Sequence, residues 1–362
     1  MHTLYARINT GLLVFIALTG VVLVAMLATR ARGGPLDPPG PPTSTQSNII
    51  YQPASCAAFP IVISAPGSYR LGGNITGCTA KNGIQIASSD VTLSLAGFSV
   101  IGVPGSLDGI KNVGGNGQLN IADGTVVTWG GTGVNLADSS TARVDNIIAA
   151  YNGGDGIQLG STSSLNRSIA SANASVGITT VLAASNVTIS DCNVDYNGVL
   201  GINLGGVGSV VVGCEVGSNG SGGGIRVAGA SRVTNNHVHN NGATGIYAPD
   251  SCTITGNTVD WNAGQGIVAG GRCSVVGNAA DSNTLVGIDV FGNASRIDGN
   301  STSGNAGAGV RIGAGAPGSP NVVTRNSSTG DASGIVIGIN NDAGPIATAA
   351  GAGANPWSNI AN

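Results

Sequence analysis

The chain has 362 residues, of which 9% are charged and 4% are aromatic, and its formal net charge at pH 7 is −3. With Lys81 and Lys111 as its only lysines, it lacks the basic surface that a nucleic-acid backbone requires in a binding partner. The 61 glycines and the low charge are also found in disordered chains, but regular columns of β-branched residues exclude that class and indicate a folded repeat.

Residues 1–32 contain an uncharged apolar segment between Arg7 and Arg30. Its length of about 20 residues is sufficient for a helix to cross a bilayer. A cut after Ala31 makes this segment a signal peptide, whereas an uncleaved segment is a membrane anchor. We therefore predict an N-terminal hydrophobic helix and an exported domain that is periplasmic, secreted or held at the cell surface. Residues 33–48 are rich in proline and small polar residues and form a predicted linker.

Residues 49–340 consist of a short sequence repeat that recurs along the chain. The copies NHVHNNGATGI, NTVDWNAGQGI, NAADSNTLVGI and NSTSGNAGAGV start 21 or 22 residues apart, a period that suits three short strands and their turns. A Gly-Ile or Gly-Val pair marks the same place in each unit. The marks begin at Gly83, Gly109, Gly133, Gly156, Gly177, Gly201, Gly224, Gly245, Gly266, Gly287, Gly309 and Gly334. They predict an all-β, parallel β-solenoid of about twelve coils.

Asparagine recurs four residues before most of these glycines, as at Asn241 and Asn262. A stacked column of buried asparagines satisfies polar groups that a single buried asparagine leaves unpaired. A second asparagine column runs through Asn236 and Asn257. Aliphatic residues alternate with polar ones between these columns, which predicts strands with one face turned inward.

The first coils carry motifs of a known family. Residues Pro66–Leu71 with Asn74 and Ile75, followed by Val91–Val100, match a "pGSYxLxxNl" segment that precedes a "vTLdLnGfxi" strand. The chain thereby resembles exported bacterial right-handed parallel β-helix proteins of the pectate-lyase-like superfold. The resemblance implies a single-stranded right-handed β-helix over residues 49–340 and a C-terminal cap or tail over 341–362. It leaves the chemistry open, because the superfold carries lyases, hydrolases, epimerases and proteins of unknown role.

Six cysteines fall into three pairs that are each separated by about one coil. Stacked neighbours on adjacent parallel strands lie about 4.8 Å apart, which is inside the Cα range of a disulfide. An exported domain also meets an oxidising compartment. We therefore predict three disulfides, with buried free thiols as the alternative. The predicted pairs are Cys56 with Cys78, Cys192 with Cys214, and Cys252 with Cys273.

Two outward columns bring titratable residues together on successive coils. The chain's only glutamate, Glu215, is one coil below His237, and Asp260 is one coil above His239. A carboxylate beside an imidazole is suited to abstracting the proton α to a uronate carboxyl. Glu215 with Asp260 is suited to acid and base roles across a glycosidic bond. These four residues are the predicted catalytic group.

Four further residues are predicted to bind substrate. Tyr196 and Trp261 adjoin column asparagines and offer faces on which a sugar ring can stack, and Asp195 lies at the edge of the patch. Arg226 is in the outward column that follows the Gly-Ile marks and is the fourth predicted contact.

The sequence predicts one main function and leaves three alternatives open. We predict an exported, monomeric β-helix protein that binds or modifies polysaccharide on its lateral face, with membrane contact through the N-terminal helix if it is uncleaved. The alternative is a non-catalytic surface or adhesive solenoid, so enzyme status stays open. No cofactor is predicted, although His-x-His with carboxylates is also a divalent-metal arrangement. The patch is also compatible with a solvated polar face whose acidic and imidazole groups happen to stack.

Overall fold

The computed structural model describes residues 48–347 and 355–361. The predicted leader, residues 1–32, and all of the predicted linker except Asn48 lie outside the described residues. Within the described ranges, no helix is long and apolar enough to cross a bilayer.

Most coils of the described chain consist of three short parallel strands, and in two coils the second and third are continuous, as Leu119–Val127 and Ala142–Ala150. In one coil the three strands are Gly223–Val227, Arg232–Thr234 and His237–His239. The first strand of each coil joins a 13-stranded sheet, and the other two join a 26-stranded sheet. Every strand pairs in parallel with its counterpart one coil away, as His237 does with Glu215 below and with Thr258 above. The predicted all-β parallel solenoid is therefore confirmed.

The strand bounds follow the repeat along the whole described chain. The 13-stranded sheet contains Ile61–Ile63, Ile84–Ile86, Ile110–Asn112, Val134–Leu136, Ile157–Leu159, Ile178–Thr180, Leu200–Leu204, Gly223–Val227, Ile246–Ala248, Ile267–Ala269, Ile288–Val290, Ala308–Ile312 and Ser333–Ile337. The 26-stranded sheet contains Asn48–Ile50, Gly67–Leu71, Ile75–Thr76, Val91–Ser94, Ser99–Ile101, Leu119–Val127, Ala142–Ala150, Ser164–Asn166, Ile169–Ser171, Thr188–Ser190, Asn193–Asp195, Val210–Val212, Glu215–Gly217, Arg232–Thr234, His237–His239, Thr253–Thr255, Thr258–Asp260, Ser274–Val276, Ala279–Asp281, Arg296–Asp298, Ser301–Ser303, Val322–Thr324, Ser327–Thr329, Asp342–Ala343, Ile346–Ala347 and Asn359–Ala361. A single 3-10 turn, Cys56–Ala58, precedes the first strand of the smaller sheet.

The number of coils corrects the prediction from the Gly-Ile marks. The smaller sheet has 13 strands, one more than the twelve marks. The additional coil is the first one, in which Ile61 pairs with Ile84. Its strand follows Pro60 instead of glycine, so the mark is missing.

The core is a set of aliphatic columns that run from coil to coil. Ile202, Ile225, Ile246, Ile267 and Ile288 are all at most 1% exposed, which confirms the predicted buried column. A second column in the larger sheet is fully buried as well. It contains Ile189, Val211, Val233, Ile254, Val275 and Ile297. Burial of a branched aliphatic side chain contributes about 1.5–3 kcal/mol, so these columns supply a large part of the folding energy.

Buried asparagines form two ladders at the corners of the coils. In the first, Asn241 Nδ2 donates to Asn262 Oδ1 at 2.9 Å and to the Val216 carbonyl at 3.1 Å. The second ladder repeats this pattern from Asn236 through Asn257. Each amide thus pairs both with the next coil and with a strand carbonyl, which confirms the predicted ladders.

The C-terminal segment continues the same architecture. Asn359–Ala361 pairs in parallel with the strand that begins at Ser327. Asn359 also accepts at its Oδ1 from Asn326 Nδ2 at 3.0 Å, so it extends the second asparagine ladder. The described part of the predicted cap is therefore joined to the larger sheet and not separate from it.

Two of the three predicted disulfides are wrong. Cys56 and Cys78 are bonded, but Cys192 and Cys214 are free and buried, as are Cys252 and Cys273. The four free cysteines stand in stacked inward columns. Parallel side chains in such a column keep their Cβ atoms about one coil spacing apart, roughly 4.8 Å, whereas a disulfide needs about 3.5–4.5 Å. Cys56 lies in the 3-10 turn, outside the strand register, and escapes this constraint.

Candidate functional site

The site lies on the outer face of the larger sheet, across three consecutive strands. Each strand has three residues, of which the middle one is a buried valine, namely Val216, Val238 and Val259. The flanking residues therefore point outward, because side chains alternate along a strand. The register pairs Glu215 with His237, and His239 with Asp260. The structure thus brings the four predicted catalytic residues into one cluster, called the imidazole cluster below.

Contacts within the imidazole cluster run diagonally between coils. His239 Nε2 lies 3.5 Å from Glu215 Oε1, and His237 Nε2 lies 3.2 Å from Asp260 Oδ1. The two imidazole rings are 4.5 Å apart between centroids. Each ring therefore has its own carboxylate, and the two pairs share one surface. The side chain of Glu215 is 58% exposed and that of His239 only 22%, so Glu215 lies largely in solvent whereas His239 is packed against its neighbours.

His239 is held because the coil below it has glycine in its column. A Cβ atom on Gly217 would lie 2.5 Å from His239 Cε1, so the imidazole ring packs directly over the glycine. On its other side, His239 Nδ1 lies 3.0 Å from the Asn240 side-chain amide. Asn240 can present either its NH2 or its oxygen, and it therefore serves either tautomer of the ring.

Asp281 extends the cluster by one coil and was missed as a functional residue. It pairs in register with Asp260, so the two carboxyl groups are neighbours in one outward column. Burial, and then the negative charges of Asp260 and Asp331, raise the pKa of the Asp281 carboxyl. Asp260 Oδ1 lies 3.2 Å from His237 Nε2. The sequence showed that Asp260 and Asp281 share an outward column. It could not show the raised pKa of Asp281, which depends on burial and on neighbouring charges.

Two exposed aromatic residues stand beside the outward strands. Tyr196 and Trp261 are 66% and 64% exposed and directly follow Asp195 and Asp260. Both have a left-handed backbone, with φ of 53° and 55°. A left-handed conformation costs a non-glycine residue roughly 1–2 kcal/mol, so the backbone gives no reason for a bulky side chain at these corners. Tyr151 occupies the same kind of corner and was also missed.

The other two predicted substrate contacts have different surroundings. Asp195 is one coil below Gly217, and its Oδ1 is buried with no hydrogen-bond partner among the described residues. Arg226 is in the smaller sheet and is not brought to the imidazole cluster. Its guanidinium lies 5.4 Å from the centre of the Tyr247 ring and lines a groove of about 390 Å³. The groove is also lined by Thr180, Leu182, Asn203 and Pro249.

Comparisons with known proteins agree with this architecture. A family model described as "Right handed beta helix region" matches residues 108–251 and 223–348. No curated protein matches the chain. The two ranges matched by the family model cover more than half of the chain. They confirm the right-handed coil that the sequence motifs implied.

Several solved structures share the fold at low identity. The A-module of the mannuronan C-5 epimerase AlgE6 from Azotobacter vinelandii is 13% identical, with 87% of this chain and 90% of that chain covered and a TM-score of 0.51. The periplasmic alginate epimerase AlgG is 12% identical over 83% of this chain and 77% of that chain, with a TM-score of 0.43. The Dettilon tailspike protein is 13% identical over 81% and 60%, with a TM-score of 0.45. At such identities the likeness concerns the fold alone.

Proposed function

The chain belongs to the right-handed β-helix family, and we propose that it binds and hydrolyses a polysaccharide on the outer face of its larger sheet. The observation that carries the proposal is the stacked carboxyl pair Asp260 and Asp281, with Trp261 beside it. Asp260 contacts His237 at 3.2 Å, whereas burial and neighbouring carboxylates raise the pKa of Asp281. Glycoside hydrolysis uses two neighbouring carboxyls, and a raised pKa suits the one that acts as the general acid.

The electrostatics of the face favour an uncharged glycan over a polyuronate. The two outward columns contain Asp195, Glu215, Asp260 and Asp281, and neither has a lysine or an arginine between residues 169 and 281. Such a surface repels uronate carboxylates unless a cation lies between them. Neutral sugar rings that stack on Trp261 avoid this repulsion. We therefore do not assign the activity of the epimerases to this chain.

The spacing of the pair favours a two-step reaction with retained configuration. Adjacent coils are about 4.8 Å apart, close to the roughly 5–5.5 Å between carboxyls of retaining glycosidases. Asp281 donates its proton to the glycosidic oxygen, which leaves with the electron pair of the broken bond. Asp260 attacks the anomeric carbon and forms a glycosyl ester. Asp281 then accepts a proton from the water that hydrolyses this ester.

The test combines product analysis with matched variants. The purified chain is incubated with neutral and uronate-containing polysaccharides, and reducing ends, unsaturated uronates and anomeric configuration are measured. We expect new reducing ends with retained configuration, and a loss of about 10²-fold or more in kcat for Asp281→Asn and Asp260→Asn. Asp342→Asn, an exposed carboxylate change at the far end of the chain, is the control. Unsaturated products would instead indicate a lyase, and activity that is equal in all variants would exclude this site.

His239→Ala tests the binding part of the same proposal. His239 and Glu215 lie beside the carboxyl pair and are placed to donate to and accept from sugar hydroxyls. We expect the variant to bind oligosaccharide more weakly while its Tm stays close to that of the wild type, because the side chain lies at the surface. Unchanged affinity for every polysaccharide that the protein binds would mean that the imidazole cluster is a solvated polar face.

A second candidate function is supported by the groove of the smaller sheet. No carboxylate lies within ion-pair distance of Arg226 in the described part of the chain, and the groove around it is partly apolar. An unpaired guanidinium over an aromatic ring suits non-catalytic binding of an anionic sugar. This alternative corresponds to an adhesive solenoid.

Export of the domain is also a proposal. The disulfide between Cys56 and Cys78 suits an oxidising compartment, and the apolar segment in residues 1–32 supplies a route across the membrane. N-terminal sequencing of the mature protein distinguishes the outcomes. A start after Ala31 indicates a cleaved signal peptide, and a start at Met1 in the membrane fraction indicates an anchor.

A further inference from the structure

We propose that Glu215, His237 and His239 form a binding site for one divalent transition-metal ion of the zinc type. One ligand atom from each of the three residues lies within 4.8 Å of the other two. The residues come from two adjacent strands whose register is fixed by the buried valines behind them. The inference does not depend on hydrolysis, because a metal can be bound whether or not the face acts on sugar.

The distances are close to those that a tetrahedral ion needs. Bonds of about 2.1 Å to zinc place neighbouring ligands roughly 3.4 Å apart. His239 Nε2 and Glu215 Oε1 are 3.5 Å apart, and an ion therefore fits between them without movement of the backbone. A ligand atom of His237 lies within 4.8 Å of the other two, and a small shift of its side chain, 48% of which is accessible, closes the third contact while Nε2 stays beside Asp260.

Neighbouring residues provide the support that metal-binding imidazoles usually have. A ligating histidine commonly directs its second nitrogen to a carboxylate or an amide, which fixes the ring. His237 Nε2 lies 3.2 Å from Asp260 Oδ1, which leaves Nδ1 for the ion. His239 Nδ1 lies 3.0 Å from the amide of Asn240, which leaves Nε2 for the ion. Each ring thus has one nitrogen beside a residue outside the ligand set, and His239 Nε2 faces Glu215, which is itself a proposed ligand.

Two further features of the face fit a cation. The imidazole ring of His239 packs against the backbone of Gly217, because any side chain at position 217 would collide with the ring. One coil below, the buried Oδ1 of Asp195 has no hydrogen-bond donor among the described residues. The uncompensated carboxylates of this face also attract a positive ion.

The donor set defines the class of ion. Two imidazole nitrogens and one carboxylate oxygen suit Zn²⁺, Co²⁺ or Ni²⁺, whereas Ca²⁺ and Mg²⁺ take oxygen ligands, six or more in number. Three protein ligands leave a tetrahedral ion one open position, which suits water or a sugar hydroxyl. The proposal is thus specific for a soft-to-borderline metal with an exchangeable ligand.

The test uses the tag-free full-length chain in mild detergent after treatment with a chelator. Zn²⁺ binding is measured by titration calorimetry, and Co²⁺ binding by its visible absorption. We expect one ion per chain, a tetrahedral Co²⁺ spectrum and no competition from a large excess of Ca²⁺. His239→Ala should abolish binding, and Glu215→Gln should weaken it about tenfold or more. Asp260→Asn should weaken it about tenfold through His237.

The controls separate this site from other metal binders in the chain. Asp342→Asn removes a carboxylate outside the site and should bind Zn²⁺ like the wild type. The buried thiol pairs are the main competitors, and their ligation would give Co²⁺ an intense thiolate charge-transfer band. Such a band, or 1:1 binding that survives His237→Ala with His239→Ala, would overturn the proposal. Absence of saturable binding would do so as well.

Discussion

Two charged regions of the larger sheet are built by the same stacking and behave differently. Near the C-terminal end, Asp298 Oδ1 accepts from Arg325 Nε at 2.7 Å and from Thr324 Oγ1 at 3.0 Å. Four coils earlier along the chain begins the imidazole cluster, in which each carboxylate has one imidazole contact, at 3.2 and 3.5 Å. In both regions the contacts join side chains from adjacent coils.

The difference shows how a solenoid separates structural charges from available ones. The guanidinium of Arg325 forms two bonds to a buried carboxylate and saturates it, as Arg311 does for Asp289 in the smaller sheet. An imidazole makes one such bond and leaves a second nitrogen, and Glu215 keeps most of its surface in solvent. Arginine pairs therefore stabilise the rod, whereas the imidazole cluster retains the capacity to bind a ligand.

The largest expected effect comes from the ladder that lies behind the imidazole cluster. Asn262 Oδ1 accepts from Asn241 N and Nδ2 at 3.1 and 2.9 Å, and Asn262 Nδ2 donates to Asn283 Oδ1 at 3.0 Å. Asn262→Ala leaves several buried groups unpaired at about 1–3 kcal/mol each. We expect the free energy of unfolding to fall by about 3 kcal/mol or more in urea denaturation.

Ser303→Ala is the matched control for this ladder variant. Ser303 is exposed and points outward from a neighbouring strand, so its truncation should change the free energy of unfolding by less than about 0.5 kcal/mol. If Asn262→Ala were as stable as this control, the ladder would not be what fixes the corner under the imidazole cluster.

The second prediction concerns the acid stability that Asp298 confers. Bonding to Arg325 first, and to Arg296 and Thr324 as well, lowers the pKa of Asp298 from 3.8 to about 2. A lowered pKa contributes stability that is complete above the ordinary value and is lost as the pH falls through about 2. Asp298→Asn should therefore lower the free energy of unfolding by about 2 kcal/mol at pH 7, and the difference should shrink below pH 4.

Glu215→Gln sharpens the contrast with Asp298. Glu215 is exposed and has a single imidazole contact, so its neutral variant should unfold at the same urea concentration as the wild type at pH 7. A loss of stability similar to that of Asp298→Asn would make the imidazole cluster one more structural ion pair. The difference between the two variants, followed from pH 7 to pH 2, is the measurement.

The fold was largely predictable because its determinants repeat. Gly-Ile marks and asparagine columns recur with the coil, so twelve coils could be counted, and only the first, which begins at Ile61 after proline, lacked its mark. The disulfides were less predictable, because a Cα spacing that a disulfide tolerates does not bring the Cβ atoms of parallel, stacked side chains close enough to bond. Cys192 and Cys214 are stacked as predicted and still are not bonded.

The candidate site was predictable to the level of its columns. Strands of three residues with a buried valine in the middle place Glu215, His237, His239 and Asp260 outward on neighbouring coils. The diagonal contacts depend on rotamers that no spacing specifies. Likewise, the raised pKa of Asp281 depends on burial and on carboxylates from other coils, which become neighbours only in the folded chain.

The smallest expected effect is on the binding of an anionic sugar, and it distinguishes the groove of the smaller sheet from the imidazole cluster of the larger sheet. Arg226 lies over Tyr247 in the groove of the smaller sheet and has no carboxylate partner in the described part of the chain, unlike Arg311 and Arg325. If the groove binds an anionic sugar, Arg226→Ala should weaken binding of an oligouronate about tenfold in calorimetry at low salt, with no change in Tm. Hydrolysis at the imidazole cluster should be unaffected.

Arg232→Ala removes the same charge from an exposed position in the larger sheet and controls for the net charge of the chain. Arg226→Lys keeps the charge but loses the planar group that stacks on Tyr247, so it should bind with intermediate affinity. Equal weakening by Arg226→Ala and Arg232→Ala would mean that the anion is attracted by charge alone, without a groove. Weakening by His239→Ala and not by Arg226→Ala would place the anionic sugar on the larger sheet, where a bound divalent ion would be needed to offset the surrounding carboxylates.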